Sequence, residues 1–303
     1  MTGQTSMMSF ARAVGVFLMA IVLYDVMGAI VKHLSDAYPT QQLTFFRNLF
    51  GLVPALVLLL GSKAWARAGR PLLIRQWPLA IVRGCLGVAA QMCFYMSLIY
   101  LELATATTLV FASPFFIAAL SVPILRHRIG LMRWGAVGIG FLGVLMILRP
   151  GQDSLSLYAL LPVLAALGYA TTAVTSKLFD SDVPTPLINL YYSLTALFAA
   201  MGLVLFTGGF TSIIVAIDWI WLALMGIVGG CAALCMTTAN RMADPSSLSP
   251  FHYFCIPSSF LLGWVFFAEA PFDRLIPGVF LIVAGGMIII WRERTLSRGS
   301  SRA

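Results

Sequence analysis

Charge is scarce in this chain. Of 303 residues, 10% are Asp, Glu, Lys or Arg while 60% are hydrophobic, and the mean hydropathy is +0.94. A water-soluble domain needs about 25% charged residues to cover its surface, so a soluble fold is excluded. Histidine is equally thin: His33, His127 and His252 fall in separate segments, leaving no cluster for metal or lipid head-group chemistry. The five cysteines (Cys85, Cys93, Cys231, Cys235, Cys255) are odd in number and all sit in apolar stretches, which rules out a disulfide framework. Cys231 and Cys235 share a helix face, but two thiols alone read as packing. No P-loop, HExxH, paired CxxC or Ser/His/Asp arrangement occurs, so neither an ATP-driven pump nor an enzyme is expected, and no cofactor or metal. Gly138-Ile139-Gly140-Phe141-Leu142-Gly143 spells GxGxxG, yet it lies inside an apolar helix with no strand before it. There, small residues serve close helix packing.

Apolar runs of roughly 18–23 residues are abundant, the length that crosses about 30 Å of hydrocarbon. Ten spans are read: 13–34, 43–61, 77–98, 104–125, 131–148, 157–178, 184–206, 217–240, 246–268 and 274–291. The connections are short, so no soluble domain is expected. The first run is too long for a signal peptide, carries Asp25 and Lys32, and lacks a small-residue cleavage site; it reads as a retained span. The net charge of +8 is a topology signal rather than a nucleic-acid footprint. With the amino end inside, fourteen Lys and Arg fall on cytoplasmic segments, against Arg149 and Arg274 in outer loops and Lys32 near the outer end of span 1. This bias puts both termini in the cytoplasm of a multi-pass inner-membrane protein whose surroundings are the lipid bilayer.

The chain repeats itself. Residues 104–147 and 247–290 align at an offset of 143 without a gap, pairing Phe111 with Phe254, Pro114 with Pro257, Gly135 with Gly278 and Gly143 with Gly286. Upstream, Tyr24, Lys32 and Pro39 meet Tyr169, Lys177 and Pro184 at 145, while Trp77, Gly84, Gly87 and Cys93 meet Trp219, Gly226, Gly229 and Cys235 at 142. Five spans separate the copies, and five is odd, so the second copy runs inverted. The expected units are 12–149 and 157–291, followed by a basic cytoplasmic tail, 292–303. Inverted halves give near-equivalent inward-open and outward-open packings, the basis of alternating access.

Three ionisable residues lie well within spans: Asp25, Arg47 and Arg83. Such groups face a wet cavity or a partner. On the helical rise Asp25 lies about 18 Å, Arg47 about 24 Å and Arg83 about 9 Å from the inner surface. Asp25 and Arg47 are near enough in depth to form a structural pair. Alternatively one or both arginines face an anionic group of the cargo, which a guanidinium holds bidentately. Arg83 can also snorkel to the inner interface. Asp25 is a candidate coupling carboxylate, carrying a proton as access alternates, or a fixed counter-ion. Uncharged candidates are Gln91 and Tyr95 on one face of span 3, Thr105 and Thr108 in span 4, Ser113, Asn189, His252 and Tyr253. Each alone equally reads as an interhelical hydrogen bond. Pro114 and Pro257 occupy matched positions, as hinge or cavity-lining points or as static curvature.

These residues resemble the drug/metabolite transporter superfamily, as a tandem pair of EamA-type units covering about 12–291. The most specific stretch is Ser247-Leu248-Ser249-Pro250-Phe251 through Pro257, Leu262-Gly263, Phe267, Glu269, Pro271, Gly278 and Gly285-Gly286. The first half is similar in Pro39, Arg47, Arg83, Tyr95, Ala104, Ala106, Pro114 and Gly135. The resemblance implies an all-α membrane protein of ten helices in two inverted five-helix repeats around a central cavity, both ends inside. It also makes Glu269 a candidate gating residue, with Arg126 at the equivalent first-half position. Cargo implied by the family includes amino acids and derivatives, riboflavin-like vitamins, and metal-chelating opines. The reading is a secondary carrier that exports a small organic metabolite with an anionic or zwitterionic group, with a proton as possible coupling ion. Vitamin uptake on the same fold is the alternative, and a membrane-embedded lipid-modifying enzyme is a distant third.

Overall fold

Proline and glycine punctuation sets the helix ends. In the computed structural model the elements in chain order are α1 (Thr2–Leu34), α2 (Thr40–Leu60), α3 (Lys63–Arg67), α4 (Trp77–Tyr100), α5 (Leu103–Val110), α6 (Ser113–Leu125), α7 (Leu160–Thr175), α8 (Thr185–Phe206), α9 (Ala216–Met242), α10 (Pro245–Leu248) and α11 (Cys255–Phe267). Single 3-10 stretches flank α7 at Leu157–Ala159 and Ser176–Leu178, and another joins α10 to α11 at Ser249–Phe254. The structure describes residues 2–67, 69, 71–101, 103–110, 112–125 and 157–267, with scattered positions within 134–146 and 280–284. Among the described residues every element is helical and no strand occurs.

Among the described residues five helices are long and apolar enough to cross a membrane: α1 from Phe10 onward, α2, α4, α8 and α9. Their outward faces are apolar too, with Leu60, Phe198, Phe206 and Ile220 exposed, as suits a helix whose solvent on one side is lipid. α2 and α8 begin alike. Pro39 and Pro184 are extended, and their carbonyls accept the first amides of the helix, from Gln42 and Leu43 and from Leu187 and Ile188. α8 stops where Gly208 and Gly209 take φ of 105° and 91°, so that the Gly209 amide can turn back onto the Val204 carbonyl at 2.8 Å.

Two spans read as continuous helices are broken. The expected helix 104–125 is interrupted between α5 and α6, and the expected helix 246–268 passes through the 3-10 stretch before α11. Both breaks lie immediately before the matched prolines: Pro114 is the second residue of α6 and Pro257 the third of α11. Proline supplies no amide, so an α-helical ladder cannot run through these points unaltered. The expected spans 131–148 and 274–291, Glu269, Arg126 and the 292–303 tail lie outside the described residues apart from the scattered helical positions.

α9 lies against both α1 and α2, and α4 against both α7 and α8; α2 and α8 also pack together. α6 packs on α7 and α11 on α1. The α2–α9 seam is glycine-made: a Cβ on Gly230 would sit 2.7 Å from the Gly51 carbonyl oxygen, and one on Gly226 2.3 Å from the Phe50 Cβ. Without a hydrophobic drive between helices in lipid, such close backbone approach is what makes the contact adhesive. The largest core cluster joins α1, α2, α4 and α9 through Leu34, Leu43, Phe94, Tyr95, Leu222 and Met225.

The two ends of the bundle are tied differently. At one, the Tyr38 hydroxyl donates to Asp218 Oδ2 at 2.6 Å, and Gln42 exchanges two hydrogen bonds with the Thr211 backbone. At the other, Arg241 donates to the carbonyls of Val183 and Asp180 at 2.6 and 2.9 Å and to Thr185 Oγ1, while Lys177 donates to the Arg241 carbonyl.

Candidate functional site

A cavity of ≈ 160 Å³ lies at the centre of these packed helices, lined from α1, α2, α4, α7, α8, α9 and the broken pairs α5/α6 and 249–254/α11. Both guanidiniums read from the sequence reach it. Arg47 is 3% exposed. Its Nη1 donates to Asn48 Oδ1 at 2.8 Å and its Nη2 to the Gly229 carbonyl at 3.2 Å, leaving Nε without a partner. Asn48 in turn donates to the Thr44 carbonyl and to Gln91 Oε1, so it fixes both Arg47 and Gln91. Gln91 lines the cavity with its Nε2 unpartnered.

Arg83 does not snorkel. It is 6% exposed, its Nε donates to the Thr172 carbonyl at 3.0 Å and its Nη2 makes a long bond to Thr237 Oγ1, while Nη1 has no partner. Its guanidinium stands 5.9 Å from the Tyr192 ring centroid, within cation–π range. Thr237 passes the contact on to Asn189 Oδ1 at 3.1 Å, and Asn189 also lines the cavity.

Asp25 is on the cavity wall, but the Asp25–Arg47 pair suggested by their depth does not form. The carboxylate accepts instead from Cys255 Sγ at 3.1 Å and from Ser258 Oγ, both in the first turn of α11. Carboxylates are favourable at a helix N-terminus, where amide donors point outward and the helix dipole is positive. The break before Pro257 creates that terminus, so the shape of the second half determines where the first half keeps its carboxylate. Among the described residues no carboxylate is within ion-pair distance of Arg47 or Arg83.

Other expectations divide. Ser113 lines the cavity and donates to the Ala166 carbonyl at 3.0 Å. His252 lines it and meets Phe17 edge-on at 4.7 Å. Tyr95 does not line it: the side chain is fully buried in the core, with its hydroxyl 3.7 Å from Met27 Sδ. A helix face shared with Gln91 is too coarse a guide: Tyr95 stays beside the Gln91 side chain, yet only Gln91 lines the cavity. Pro114 is buried at the head of α6 and does not line the cavity. The side chains of Tyr253, Pro257, Thr105 and Thr108 lie outside the described residues. From α5, Thr107 and Val110 line the cavity.

The sequence reading missed Tyr24, Tyr169 and Tyr192, which give the cavity an aromatic wall. A signal for them existed. Tyr24 and Tyr169 are a matched pair at offset 145, and Tyr192 stands at that same offset from Arg47. Tyr192 fits because Gly87 leaves room: a Cβ there would lie 2.1 Å from its ring.

The model of the EamA-like transporter family matches residues 11–149 and again residues 156–291. A pseudopaline exporter of Pseudomonas aeruginosa is 28% identical over 283 residues, 93% of this chain and 94% of that protein. A riboflavin transporter of Rhizobium johnstonii is 33% identical over 220 residues, 72% of this chain and 70% of its own. An S-adenosylmethionine uptake transporter of Rickettsia prowazekii is 26% identical over 289 residues, 92% of each chain. A solved crystal structure at 21% identity superposes with a TM-score of 0.76 over 94% of this chain and 99% of its own, which speaks to the fold alone.

Proposed function

The chain belongs to the EamA-like transporter family of drug/metabolite transporters, as a multi-pass membrane protein, and we propose that it carries a small organic metabolite with an anionic or zwitterionic group by alternating access. One observation carries the proposal: Arg47 and Arg83 line one buried cavity, each with an N–H that has no acceptor. A buried guanidinium without a carboxylate partner is costly unless an anion arrives. A cargo carboxylate or phosphate answers both needs, bidentately.

On this reading the protein is an inner-membrane carrier of ten helices, in two inverted units at 12–149 and 157–291 with both termini inside. Paired contacts support the inversion. Gly226 on α9 faces Phe50 on α2 as Gly84 on α4 faces Thr195 on α8, and Gly229 faces Arg47 as Gly87 faces Tyr192. Each of these contacts maps onto its mate by the sequence offsets of 142 and 145. The end bearing Tyr38 and Asp218 is then outer and the end bearing Arg241 inner. Export of an amino-acid-like or chelator-like metabolite is favoured, in keeping with the pseudopaline exporter. Uptake of a riboflavin-like vitamin draws support from the tyrosine wall, but a flavin's fused rings and sugar-alcohol chain exceed a cavity of ≈ 160 Å³ in this state.

Proteoliposomes loaded with a mixture of amino acids, riboflavin and S-adenosylmethionine test the proposal by mass spectrometry of what is released. The wild type should move at least one anionic or zwitterionic solute without altering it. Arg47→Ala should insert normally and lose that flux; unchanged flux would remove the arginine from the cargo site and the proposal with it.

A further inference from the structure

The ionic and orphaned groups of the cavity fall into three sets that share no partner. Arg47 Nε and Gln91 Nε2 form one, on two side chains linked through Asn48, whose Oδ1 accepts from Arg47 Nη1 and whose Nδ2 donates to Gln91 Oε1. Arg83 Nη1 forms another, fixed by Thr172 and Thr237 from α7 and α9. Asp25 forms the third, on the first turn of α11. Arg47, Arg83, Gln91 and Asp25 are all at least nine-tenths buried.

The two donor sets are anchored on different partners, Asn48 for one and Thr172 with Thr237 for the other, so each offers its own place for an acceptor. Each buried N–H left unmade costs the full desolvation of its group, and the cost is greater for a charged one. Two anionic groups on one molecule answer both. A molecule that also carried an ammonium would answer Asp25, whose present donors are a thiol and a hydroxyl, both neutral. Among the described residues the tally then closes: two guanidiniums and one carboxylate meet two carboxylates and one ammonium, a net +1 against a net −1. Size agrees. A cavity of about 150 Å³ admits benzene, and ≈ 160 Å³ is on the scale of one short amino acid rather than a nucleoside or a flavin.

We propose that the cavity recognises an acidic amino-acid core, with one carboxylate on Arg47 and Gln91, the second on Arg83, and the ammonium on Asp25. The inference rests on the carrier reading above and narrows its cargo.

Calorimetric titration and thermal shift of the full chain in lipid nanodiscs test it, with L-glutamate, L-aspartate, L-glutamine, glutarate and L-leucine as probes. One acidic amino acid should bind at least about tenfold tighter than L-glutamine, whose amide turns donors toward the guanidinium donors, and than glutarate, which lacks the ammonium. Arg83→Gln should bring L-glutamate and L-glutamine within about threefold of each other, and Arg83→Lys should restore part of the gap. If Arg83→Gln fails to fold, the five probes on the wild type still decide. Equal affinity for L-glutamate and L-glutamine overturns the second carboxylate site, and equal affinity for L-glutamate and glutarate overturns the ammonium site. Binding of none of the five, with arginine-dependent flux intact in proteoliposomes, overturns this inference and leaves the carrier standing. Flux indifferent to Arg47 overturns the carrier itself.

Discussion

Gly87→Ala tests the link between helix packing and cavity shape. The new Cβ would lie 2.1 Å from Tyr192 Cε2, 2.6 Å from its hydroxyl oxygen and 2.7 Å from Cζ. Carbon atoms rest about 3.5–4.0 Å apart, so the ring must retreat by about 1.4 Å or α4 and α8 must separate. A tyrosine ring cannot fold away as a methionine can, and on its other side lie the cavity and the Arg83 guanidinium. Overpacking of this kind costs about 1–3 kcal/mol. The control is Gly202→Ala on α8, where a Cβ meets nothing within 4 Å. There alanine should stabilise the helix by about 0.5–1 kcal/mol. Equilibrium unfolding in mixed micelles should thus separate the two variants by about 1.5–4 kcal/mol. Adding Tyr192→Ser to Gly87→Ala should recover much of the loss, with a coupling above about 0.5 kcal/mol. If Gly87→Ala unfolds with Gly202→Ala, or if the double change shows no coupling, the notch does not seat the ring and the shape argument fails.

Two further outcomes follow from the polar contacts. Asp25→Asn keeps an acceptor for Ser258 but cannot take up a proton, so accumulation in proteoliposomes should lose its dependence on a pH gradient; retained dependence would assign coupling elsewhere. Tyr38→Phe removes the 2.6 Å bond to Asp218 and should destabilise the protein by about 1.5–3 kcal/mol if the bond keeps its charged character. That hydrogen bond to the Asp218 carboxylate pushes the Tyr38 hydroxyl up to about 12. A raised value means that the contribution is complete below the ordinary tyrosine range near 10 and disappears as pH rises through 12. Across about pH 6–9 the gap between wild type and Tyr38→Phe should therefore not change on account of the phenol, and a gap that closed on the way to pH 9 would refute the assignment.

Much of the scaffold was legible because a membrane restricts the options. Apolar length alone marks α1, α2, α4, α8 and α9, and Pro39 and Pro184 announce where α2 and α8 begin. The breaks at α5/α6 and before α11 were only half legible. Pro114 and Pro257 read as hinge or cavity-lining points or as static curvature, but a mean hydropathy cannot tell a kinked helix from two helices that share a span. At the site, Asp25, Arg47 and Arg83, the ionisable residues within apolar runs, line the cavity, as the high cost of exposing charge to lipid leads one to expect. Their partners were not legible. Depth suggested Asp25 with Arg47, whereas Asp25 goes to Ser258 and Cys255 across the bundle, because rise along a helix says nothing about rotation around it. Tyr95 was misjudged for the same reason, and Tyr192 escaped notice because tyrosines are common in membrane helices and only its match to Arg47 singles it out.

That match points to where the duplication stops being symmetric. At the repeat offsets Asp25 answers to Ala170, Arg47 to Tyr192 and Arg83 to Met225, so all three charges in the spans belong to the first half. If the halves exchange conformations, chemically equal halves would give inward-open and outward-open states of equal energy. Here they cannot. Arg47 and Arg83 each carry a donor that lacks an acceptor when buried, and that cost falls whenever an opening admits water to it. The occluded state is therefore disfavoured for the empty carrier and relieved by an anion that reaches both arginines. Only a ligand that binds one state better than another shifts their populations, and an anion held between two orphaned guanidiniums does so where a neutral solute of the same shape does not. On the proposed function, selectivity and the commitment to cross the membrane have one physical origin: the charges proposed to recognise the cargo would be those that keep the cavity from closing without it.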